Sequence, residues 1–289
     1  MPARAWGFKS PLGHRRVTWR CGKPRSCGDA GDVATIACED VHVALTRIAP
    51  TPSGFLHEGN RRNFHITADL ARECDAVLAL RIDDADAARY RREYVDDIFD
   101  TLAALGVDWQ IGPRDTEDFE AHWSQRAKTD YYRYELDRAR DAGLELYACS
   151  CSRTAQRGPA SGGCVGGCRA FSRGHIPGET ALRAVVPQGT VVAVDGANID
   201  LATEMGDFIV WRRDNLPAYQ LVSVVEDRDL GTTHIVRGKD LLVSSAAQIF
   251  LAPALAASNV ADATYVHHPL INDAEGRKLS KSSLPKEHR

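Results

Sequence analysis

The chain has 289 residues, of which 44% are hydrophobic and 26% charged, a composition typical of a folded globular protein with one large or two moderate domains. It contains no apolar run approaching the roughly 18 residues that a transmembrane helix needs, and no charged-then-apolar leader, so we expect a cytoplasmic protein without a membrane partner. The net charge of −3 conceals an asymmetry, because the charged residues in 1–28 are all basic while the rest of the chain is acidic, which disfavours a general nucleic-acid binder.

The first 42 residues contain Gly, Pro, Arg and Cys without apolar periodicity, and the sequence predicts a disordered extension over 1–42. Two interpretations stay open. In one, the segment lies upstream of the functional domain and has no role in it. In the other, it is a basic arm that contacts RNA phosphates. Its three cysteines lack the paired spacing of a metal site, and we assign them no role.

The first sustained hydrophobic pattern predicts a strand over residues 43–49. A Pro/Gly loop, a helix over 60–73 and a second strand over 76–80 follow it. Two strands separated by a helix in this way are typical of a βαβ unit, in which the strands are parallel and the helix covers the sheet.

The alternation of strands and helices continues along the chain with one interruption. Residues 145–190 are rich in Gly, Cys and Pro around short strand signals, as expected of an insertion. The other elements complete a doubly wound parallel sheet, whose ligand is expected beyond the carboxyl ends of the strands. These elements are helices at 92–105 and 122–142, strands returning to the sheet at 207–210 and 221–225, a helix at 243–257 and a strand at 264–266.

Two loops carry residues suited to phosphate chemistry. The first strand leads into the first helix through residues 50–60, PTPSGFLHEGN, which places Gly, His and backbone N–H groups at a helix N-terminus, where phosphate binds readily. Residues 276–282, GRKLSKS, set two lysines three positions apart, where ammonium groups can neutralise a triphosphate and its leaving pyrophosphate. Taken singly, the first loop is also compatible with a turn that holds an incidental histidine, and the second with a solvated basic tail.

Together these loops resemble the HIGH and KMSKS signatures of class I aminoacyl-tRNA synthetases. Residues 47–59, RIAPTPSGFLHEG, are similar to the opening motif of the glutamyl branch, R-F-A-P-S-P-T/S-G-x-L-H-x-G, and residues 81–86, RIDDAD, to its R-I-E-D-T-D. Residues 217–221, PAYQL, and 234–241, HIVRGKDL, look like its tyrosine and arginine substrate motifs. Five motifs in the family's order make the resemblance specific.

Four cysteines in the predicted insertion have metal-ligand spacing. Twelve residues separate Cys149 and Cys151 from Cys164 and Cys168, and four thiolates suit a closed tetrahedral zinc site. The pattern resembles the zinc knuckle of the glutamyl-queuosine tRNA(Asp) synthetases, truncated paralogs of the glutamyl enzymes, although their third ligand is commonly Tyr. The alternative is four free cysteines.

The resemblance implies a class I Rossmann-type catalytic domain with a small inserted zinc-binding or acceptor-type subdomain. We expect the two halves of the catalytic domain at 43–146 and 206–289, and the insertion at 147–205. Only seven residues follow the lysine loop, so we expect no anticodon-binding domain of the kind that discriminating glutamyl-tRNA synthetases carry there. We expect a monomer, although the sequence does not fix the oligomeric state.

The implied reaction has two steps. Glutamate's α-carboxylate attacks the α-phosphate of ATP to give glutamyl-adenylate and pyrophosphate, and the queuosine base of tRNA(Asp) then accepts the glutamyl group. The cofactors are Mg²⁺, which accompanies ATP, and structural Zn²⁺, and positioning replaces a protein nucleophile. The residues that the resemblance implies are His57, Lys278 and Lys281 for catalysis; Arg47, Ile48, Ala49, Pro50, Thr51, Asp83, Tyr219 and Arg237 for glutamate; Ser53, Gly54, His57, Gly59, Asn60, Lys278, Ser280 and Lys281 for ATP; and Cys149, Cys151, Cys164 and Cys168 for zinc.

By this resemblance, Arg47 and Arg237 pair with the side-chain carboxylate of glutamate, because a planar guanidinium binds a carboxylate at two points. Tyr219 adds a hydroxyl donor, and Asp83 faces the α-ammonium group. Each of these residues is alternatively an ordinary structural ion-pair residue. For Arg237, the structural partners considered are the neighbouring Asp240 and Glu226.

Two departures from the family pattern leave other functions open. Asp83 is one methylene shorter than the family's Glu, which makes the amino-acid substrate less certain than the fold. Glu58 replaces a residue that is usually apolar and adds a negative charge near the phosphates. The alternatives are a glutamate-activating ligase with another acceptor, namely tRNA(Glu), a small molecule or a carrier protein, and a catalytically silent regulatory paralog.

Overall fold

The computed structural model describes residues 43–151, 164, 167–170 and 174–270. The predicted disorder of 1–42 and the lysine loop at 276–282 lie outside these residues. Within them, no helix combines the length and the apolar character needed to cross a membrane.

The described residues form nine strands, eight α-helices and a few single helical turns. The strands are β1 (Leu45–Ile48), β2 (Val77–Leu80), β3 (Leu146–Cys149), β4 (Ala181–Ala184), β5 (Val191–Val194), β6 (Ala197–Asp200), β7 (Phe208–Trp211), β8 (His234–Gly238) and β9 (Thr264–His268). The helices are α1 (Glu58–Glu73), α2 (Arg92–Ala104), α3 (Thr116–Asp118), α4 (Thr129–Asp141), α5 (Leu201–Glu204), α6 (Tyr219–Leu230), α7 (Leu242–Leu251) and α8 (Ser258–Ala261). Single 3₁₀ or π turns lie at Phe119–Trp123, Gln125–Lys128, Cys168–Ala170 and Lys239–Leu241.

Four strands form a parallel sheet in the order β2-β1-β8-β9. The chain passes from β1 through α1 to β2 on one side of the sheet's centre, and from β8 through α7 to β9 on the other. The strand order therefore changes direction between β1 and β8, which opens a crevice at the carboxyl ends of these strands. The prediction of an α/β fold with a parallel sheet is confirmed.

Two antiparallel units separate the halves of the parallel sheet along the chain. Strands β3, β4 and β7 form one sheet, and β5 pairs with β6 in a hairpin. The prediction that residues 207–210 return to the parallel sheet is wrong, because β7 pairs with β4. An apolar run indicates that a strand is buried, but it does not specify the strand with which it pairs.

Residues 221–225 belong to helix α6 and do not form the predicted strand. Every residue from Leu221 to Asp227 is buried, so this part of the helix has no solvent-exposed face, and its run of apolar residues shows no helical period. A short apolar run does not distinguish a buried helix from a buried strand. The helix ends at Gly231, whose φ of 73° is the left-handed conformation that favours glycine at a helix C-terminus.

Two other predicted helices are shorter than expected. Helix α4 begins at Thr129 and not at residue 122, because the backbone N–H of Gln125 donates to the buried Asp84 carboxylate over 2.7 Å and holds the preceding chain in a separate turn. Helix α7 ends at Leu251 and not at residue 257, shortly before Pro253, which cannot donate a backbone hydrogen bond. In both places a local interaction outweighs the apolar pattern.

Two apolar clusters hold the helices against the parallel sheet. The first contains Leu80 of β2, Phe64 of α1 and Ile98 of α2, and the second contains Ile235 of β8 and Val224 of α6. All five side chains are 2% exposed or less. Burying one such large side chain contributes about 1.5–3 kcal/mol, so packing fixes the strands that carry the polar residues described next.

Candidate active site

A cavity of about 420 Å³ opens at the carboxyl ends of β1 and β8, where the strand order changes direction. Its volume lies within the range of about 300–1,000 Å³ that small-molecule sites occupy. The lining combines polar and apolar residues and comes from four strand ends, the N-terminal part of α1, the start of α6 and the turn after β8. The residues that line it are Arg47, Ala49, Thr51, His57, Gly59, Asn60, Asn63, Arg81, Asp83, Tyr219, Val236, Arg237, Gly238, Asp240, Leu241, His268 and Leu270.

His57 caps the N-terminus of α1 and faces the cavity. Its Nδ1 accepts a hydrogen bond of 3.0 Å from the Gly59 N–H, and its own N–H donates over 3.1 Å to Asn60 Oδ1, which makes a reciprocal capping box. Because Nδ1 is an acceptor, the neutral ring carries its proton on Nε2. A Cβ at position 59 would lie 2.7 Å from His57 Cε1, so the His57 ring can occupy this place only if residue 59 is glycine.

The next turn of α1 forms one wall of the cavity together with the end of β9. Asn63 Nδ2 lies 3.0 Å from His268 Nε2, and His268 Nδ1 lies 3.0 Å from the carbonyl oxygen of Pro269. Sequence analysis missed Asn63 and His268. The signal for Asn63 was its position three residues after Asn60, on the same helix face. Glu58 is exposed in the first turn of α1 and does not line the cavity.

Asp227 of α6 holds two of the arginines that line the cavity. Arg47 donates to its two oxygens from Nε and Nη2 over 2.7 and 3.3 Å, and Arg81 Nη1 donates over 2.8 Å. Burial opposes ionisation of this carboxyl group, but the charges of Arg47 and Arg81 outweigh it and lower the pKa of Asp227 to about 2. The resemblance assigned the two-point contact of the Arg47 guanidinium to glutamate, but Nε and Nη2 make that contact with Asp227. Arg47 Nη1 has no hydrogen-bond partner among the described residues.

The two aspartates that follow β2 anchor its carboxyl end. Asp83 accepts from Arg81 Nε and Nη2 over 2.7 and 3.1 Å, and from Gln125 Nε2 over 2.8 Å. Asp84 is buried and accepts from the Gln125 N–H and from Arg126 Nε, each over 2.7 Å. Asp83 therefore faces the cavity as a carboxylate that is already hydrogen-bonded on the protein side.

Arg237 of β8 is buried beside the cavity and has only neutral partners. It is 4% exposed, and its Nη1 donates to Gln248 Oε1 over 2.7 Å and to Ser245 Oγ over 3.2 Å. No carboxylate of the described residues lies within 4.0 Å of its nitrogens, so neither Asp240 nor Glu226 anchors it. Burial, assisted by the charge of Arg47, lowers the pKa of Arg237. A buried cation facing a cavity without a counter-charge favours an anionic ligand.

The cavity brings together most of the residues that the resemblance implied. It gathers Arg47, Ala49, Thr51, His57, Gly59, Asn60, Asp83, Tyr219 and Arg237. Four implied residues do not line it: Ile48 and Pro50, which are buried, and Ser53 and Gly54, which are partly exposed. Lys278, Ser280 and Lys281 lie outside the described residues. Sequence analysis gave no role to Arg81 or Asp227, although Arg81 stands inside a quoted motif.

Residues 43–136 and 169–287 match the sequence profile of the family described as tRNA synthetases class I (E and Q), catalytic domain. This match covers more than half of the chain. The chain belongs to this family. It is therefore a ligase of the aminoacyl-tRNA synthetase type, and class I synthetases use ATP and Mg²⁺. The matched residues include the lysine loop at 276–282.

Curated relatives of this synthetase include the glutamyl-Q tRNA(Asp) synthetases of Methylococcus capsulatus, 36% identical over 82% of this chain and 75% of that protein, and of Pseudomonas putida, 38% identical over 82% and 77%. The glutamate–tRNA ligase of a Sulfurihydrogenibium species is 31% identical, but this chain covers only 52% of it. The crystal structure of glutamate-tRNA synthetase from Elizabethkingia anophelis shares the fold, with a TM-score of 0.66 and 22% identity over 83% of this chain and 53% of that one.

A second group of reactive side chains in the synthetase lies at the end of β3. The sulfur atoms of Cys149, Cys151, Cys164 and Cys168 all lie within 4.8 Å of one another, and Cys151 is 3.3 Å from Cys164 and 3.6 Å from Cys168. A tetrahedron with zinc–sulfur bonds of about 2.3 Å has sulfur–sulfur edges of about 3.8 Å. The four-cysteine cluster thus has the dimensions of a zinc site.

The surroundings of the four-cysteine cluster hold it in place. Arg213 Nη2 donates to the carbonyl oxygens of Ser150 and Cys151 over 2.8 and 3.1 Å, which fixes the loop after β3. Cys149 is 1% exposed and packs in a small apolar cluster with Tyr147 of β3 and with Val185, which follows β4. Burial opposes ionisation of Cys168, but hydrogen bonds from the Ser150 backbone and the neighbouring thiols lower its pKa to about 7. A readily formed thiolate suits a metal ligand.

Proposed function

We propose that this synthetase activates glutamate with ATP and transfers the glutamyl group to the queuosine base of tRNA(Asp). The observation that carries the choice of glutamate is Arg237, a buried guanidinium that faces the cavity and has no carboxylate partner among the described residues. The side-chain carboxylate of a bound glutamate supplies the missing anion and gains a charge-assisted hydrogen bond.

Other residues of the cavity complete this pocket. Tyr219 lines it at the first turn of α6 and offers a hydroxyl donor to the same carboxylate. Nη1 of Arg47 offers a second guanidinium donor, while Nε and Nη2 of the same residue remain bound to Asp227. Asp83 receives the α-ammonium group of glutamate directly or through water, because its carboxylate also holds Arg81. Ile48 ends β1, and Ala49, Pro50 and Thr51 follow it in the turn beside the pocket, where Ala49 and Thr51 line the cavity.

ATP binds at the N-terminus of α1 in this proposal. Its phosphates meet the Nε2–H of His57 and the positive end of the α1 helix dipole, with Ser53, Gly54, Gly59 and Asn60 around them. Lys278, Ser280 and Lys281 of the lysine loop stabilise the charge that develops on pyrophosphate, and Mg²⁺ accompanies the nucleotide.

The chemistry requires no nucleophile from the protein. Glutamate's carboxylate attacks the α-phosphate, pyrophosphate leaves, and the acceptor hydroxyl displaces AMP. The site contributes orientation and fixed charge, since the cavity places an amino-acid pocket beside a phosphate cradle.

The choice of acceptor rests on the relatives and on the four-cysteine cluster. The relatives that carry the glutamyl-Q tRNA(Asp) synthetase name match 75–80% of their own length at 35–38% identity. Zn²⁺ bound by the cluster orders the loop after β3, and we propose that the surrounding segment, 147–205, contacts the tRNA acceptor between the catalytic halves 43–146 and 206–289. The second candidate is tRNA(Glu), which the 31% identity to a glutamate–tRNA ligase favours.

Two assays test the proposal. In the first, pyrophosphate exchange into ATP is measured with glutamate, glutamine or aspartate and without tRNA. We expect exchange with glutamate only, and its absence with all three contradicts glutamate activation and favours a silent paralog. In the second, radiolabelled glutamate is offered with queuosine-containing tRNA(Asp), the same tRNA lacking queuosine, or tRNA(Glu). Labelling of tRNA(Asp) only when queuosine is present supports the proposal, and labelling of tRNA(Glu) supports the second candidate.

A further inference from the structure

Arg237 is connected to the hairpin β5–β6 through a continuous series of hydrogen bonds. Its Nη1 lies 3.2 Å from Ser245 Oγ on α7, and Ser245 Oγ lies 2.8 Å from His267 Nε2 on β9. His267 Nδ1 lies 3.0 Å from Asp195 Oδ2, which also accepts from the His267 backbone N–H over 2.8 Å. Asp195 belongs to the turn between β5 and β6.

Each hydrogen bond in this series is donated in the direction from Arg237 towards Asp195. The Asp195 carboxylate only accepts, so the neutral ring of His267 donates from Nδ1 and accepts at Nε2. The Ser245 hydroxyl has two acceptors within reach, His267 Nε2 at 2.8 Å and the Leu241 carbonyl oxygen at 3.0 Å, and with this tautomer it donates to the nearer, His267, while its oxygen accepts from Arg237. In the other neutral tautomer, the unprotonated Nδ1 would face the Asp195 carboxylate, an acceptor against an acceptor, which is costly. The carboxylate at one end thus orients the guanidinium at the other.

The hairpin turn has the conformation that places Asp195 in this series. Asp195 and Gly196 have φ angles of 49° and 73°, and they join the paired residues Val194 and Ala197. Two central residues with positive φ define the type I′ turn that fits a tight hairpin. The Asp195 backbone therefore adopts a conformation that most side chains disfavour, and its carboxylate reaches β9.

His267 is enclosed by groups that favour its neutral form. Its side chain is 2% exposed, the Tyr265 ring is stacked on it with a centroid distance of 6.2 Å, and His268 is its neighbour along β9. Burial lowers the pKa of His267, and the charges of Arg237 and His268 act in the same direction, while Asp195 opposes them. The neutral ring is the form that accepts the Ser245 hydroxyl proton.

We propose that Asp195 and His267 are positioning residues for Arg237, so that the β5–β6 hairpin sets the geometry of the pocket for the substrate's side-chain carboxylate. This inference rests on the proposed function of Arg237 in glutamate binding. Neither residue lines the cavity, so each acts through Ser245 and not by contact with substrate.

The test compares substitutions at the turn before β6 and at the last residue of β6. Asp195→Ala removes the acceptor, and we expect the KM for glutamate in pyrophosphate exchange to rise about tenfold or more, while the KM for ATP changes less than about twofold. Asp195→Asn keeps an acceptor oxygen and is expected to restore most of the glutamate affinity. The control is Asp200→Ala, which removes only the cap of α5, formed by bonds of 3.1 and 2.9 Å from Thr203, and should leave both KM values unchanged.

Equal rises in both KM values for Asp195→Ala, or the same effect from Asp200→Ala, overturn the inference, because they indicate general loosening of the hairpin. The tautomer of His267, measured by ¹⁵N NMR, provides a readout independent of activity. We expect the proton on Nδ1 in the wild-type protein and a mixture of tautomers in Asp195→Ala. An Nε2-protonated wild-type ring overturns the inference. If the ring has the expected tautomer but the protein shows no glutamate-dependent pyrophosphate exchange, the proposed function has failed, and this series of hydrogen bonds positions Arg237 for another anion.

Discussion

Substitution of Asp227 by Asn separates the charge of this residue from its size. Asp227 is 1% exposed and is the carboxylate partner of Arg47, which is 3% exposed, and a shared partner of Arg81. Arg81 keeps its pair with Asp83, whereas Arg47 keeps no carboxylate among the described residues. Removing one member of a buried ion pair costs about 3–5 kcal/mol. The Asn oxygen retains one acceptor, so we expect Asp227→Asn to lower the free energy of unfolding at pH 7 by about 3 kcal/mol.

The pH dependence of this effect follows from the pKa of Asp227, which folding lowers from its ordinary 3.8 to about 2. A lowered carboxyl pKa stabilises the folded state above pH 4, and this contribution disappears as the pH falls towards 2. At about 1.4 kcal/mol for each pH unit, the contribution is roughly 2–2.5 kcal/mol. The difference in stability between wild type and Asp227→Asn should therefore shrink by about this amount between pH 5 and pH 2.

Urea unfolding, followed by tryptophan fluorescence and circular dichroism, measures both quantities. The control is Asp229→Asn on the same helix, where the side chain is 40% exposed and pairs with Arg228 at 2.8 Å, so its loss should cost at most about 1 kcal/mol. An Asp227→Asn protein no less stable than the control, or a difference that stays constant down to pH 2, would refute the role of Asp227 as the charge that holds Arg47 and Arg81.

Three further predictions test the cavity and the four-cysteine cluster. Arg237→Ala should raise the KM for glutamate by the equivalent of about 2–5 kcal/mol and leave the KM for ATP nearly unchanged. Arg237→Lys should recover little of the glutamate affinity. A parallel loss of the affinities for glutamate and ATP and of thermal stability contradicts the pairing of Arg237 with substrate. Gly59→Ala brings a Cβ within 2.7 Å of the His57 ring and should lower exchange activity at least about tenfold, while Glu58→Ala, at an exposed position, should not. Metal analysis of protein purified without chelator should find one zinc per chain. The zinc should be lost in Cys149→Ser and retained in Cys74→Ser, because the Cys74 thiol is exposed and lies outside the cluster. Folded wild-type protein without zinc contradicts this assignment.

Motifs in the sequence located the cavity because the fold brings strand ends together. Arg47 and Arg237 lie 190 positions apart in the chain, but they stand near the carboxyl ends of two neighbouring parallel strands. The sequence predicted a strand around Arg47 and gave only a motif around Arg237, yet both positions proved to be in the cavity. The resemblance therefore supplied what periodicity alone did not, namely that Arg47 and Arg237 belong to one site, whereas the strand β8 and its pairing with β1 were not predicted.

The partners of these arginines could not be predicted, because charge pairing depends on the placement of helices. The run LVSVV is followed by Glu226 and Asp227, which lie beyond the predicted strand, and Asp227 received no role. In the helix that forms instead, Asp227 is buried one turn after Ser223 and points its carboxylate at Arg47 and Arg81. A wrong secondary structure at this position thus concealed the most heavily hydrogen-bonded carboxylate beside the cavity.

The distribution of carboxylates among three buried arginines determines which amino acid the proposed pocket prefers. Arg47 and Arg81 are neutralised by Asp227 and Asp83, so the number of arginines alone does not predict an anionic ligand. Arg237 differs, because its nearest partners are the amide of Gln248 and a hydroxyl. Glutamine has the shape of glutamate but would leave this cation buried without a counter-charge, and a site built around a buried charge rejects such an analogue far more strongly than a change of size. The proposed selectivity therefore arises because no carboxylate of the described residues pairs with Arg237, so that the substrate supplies it.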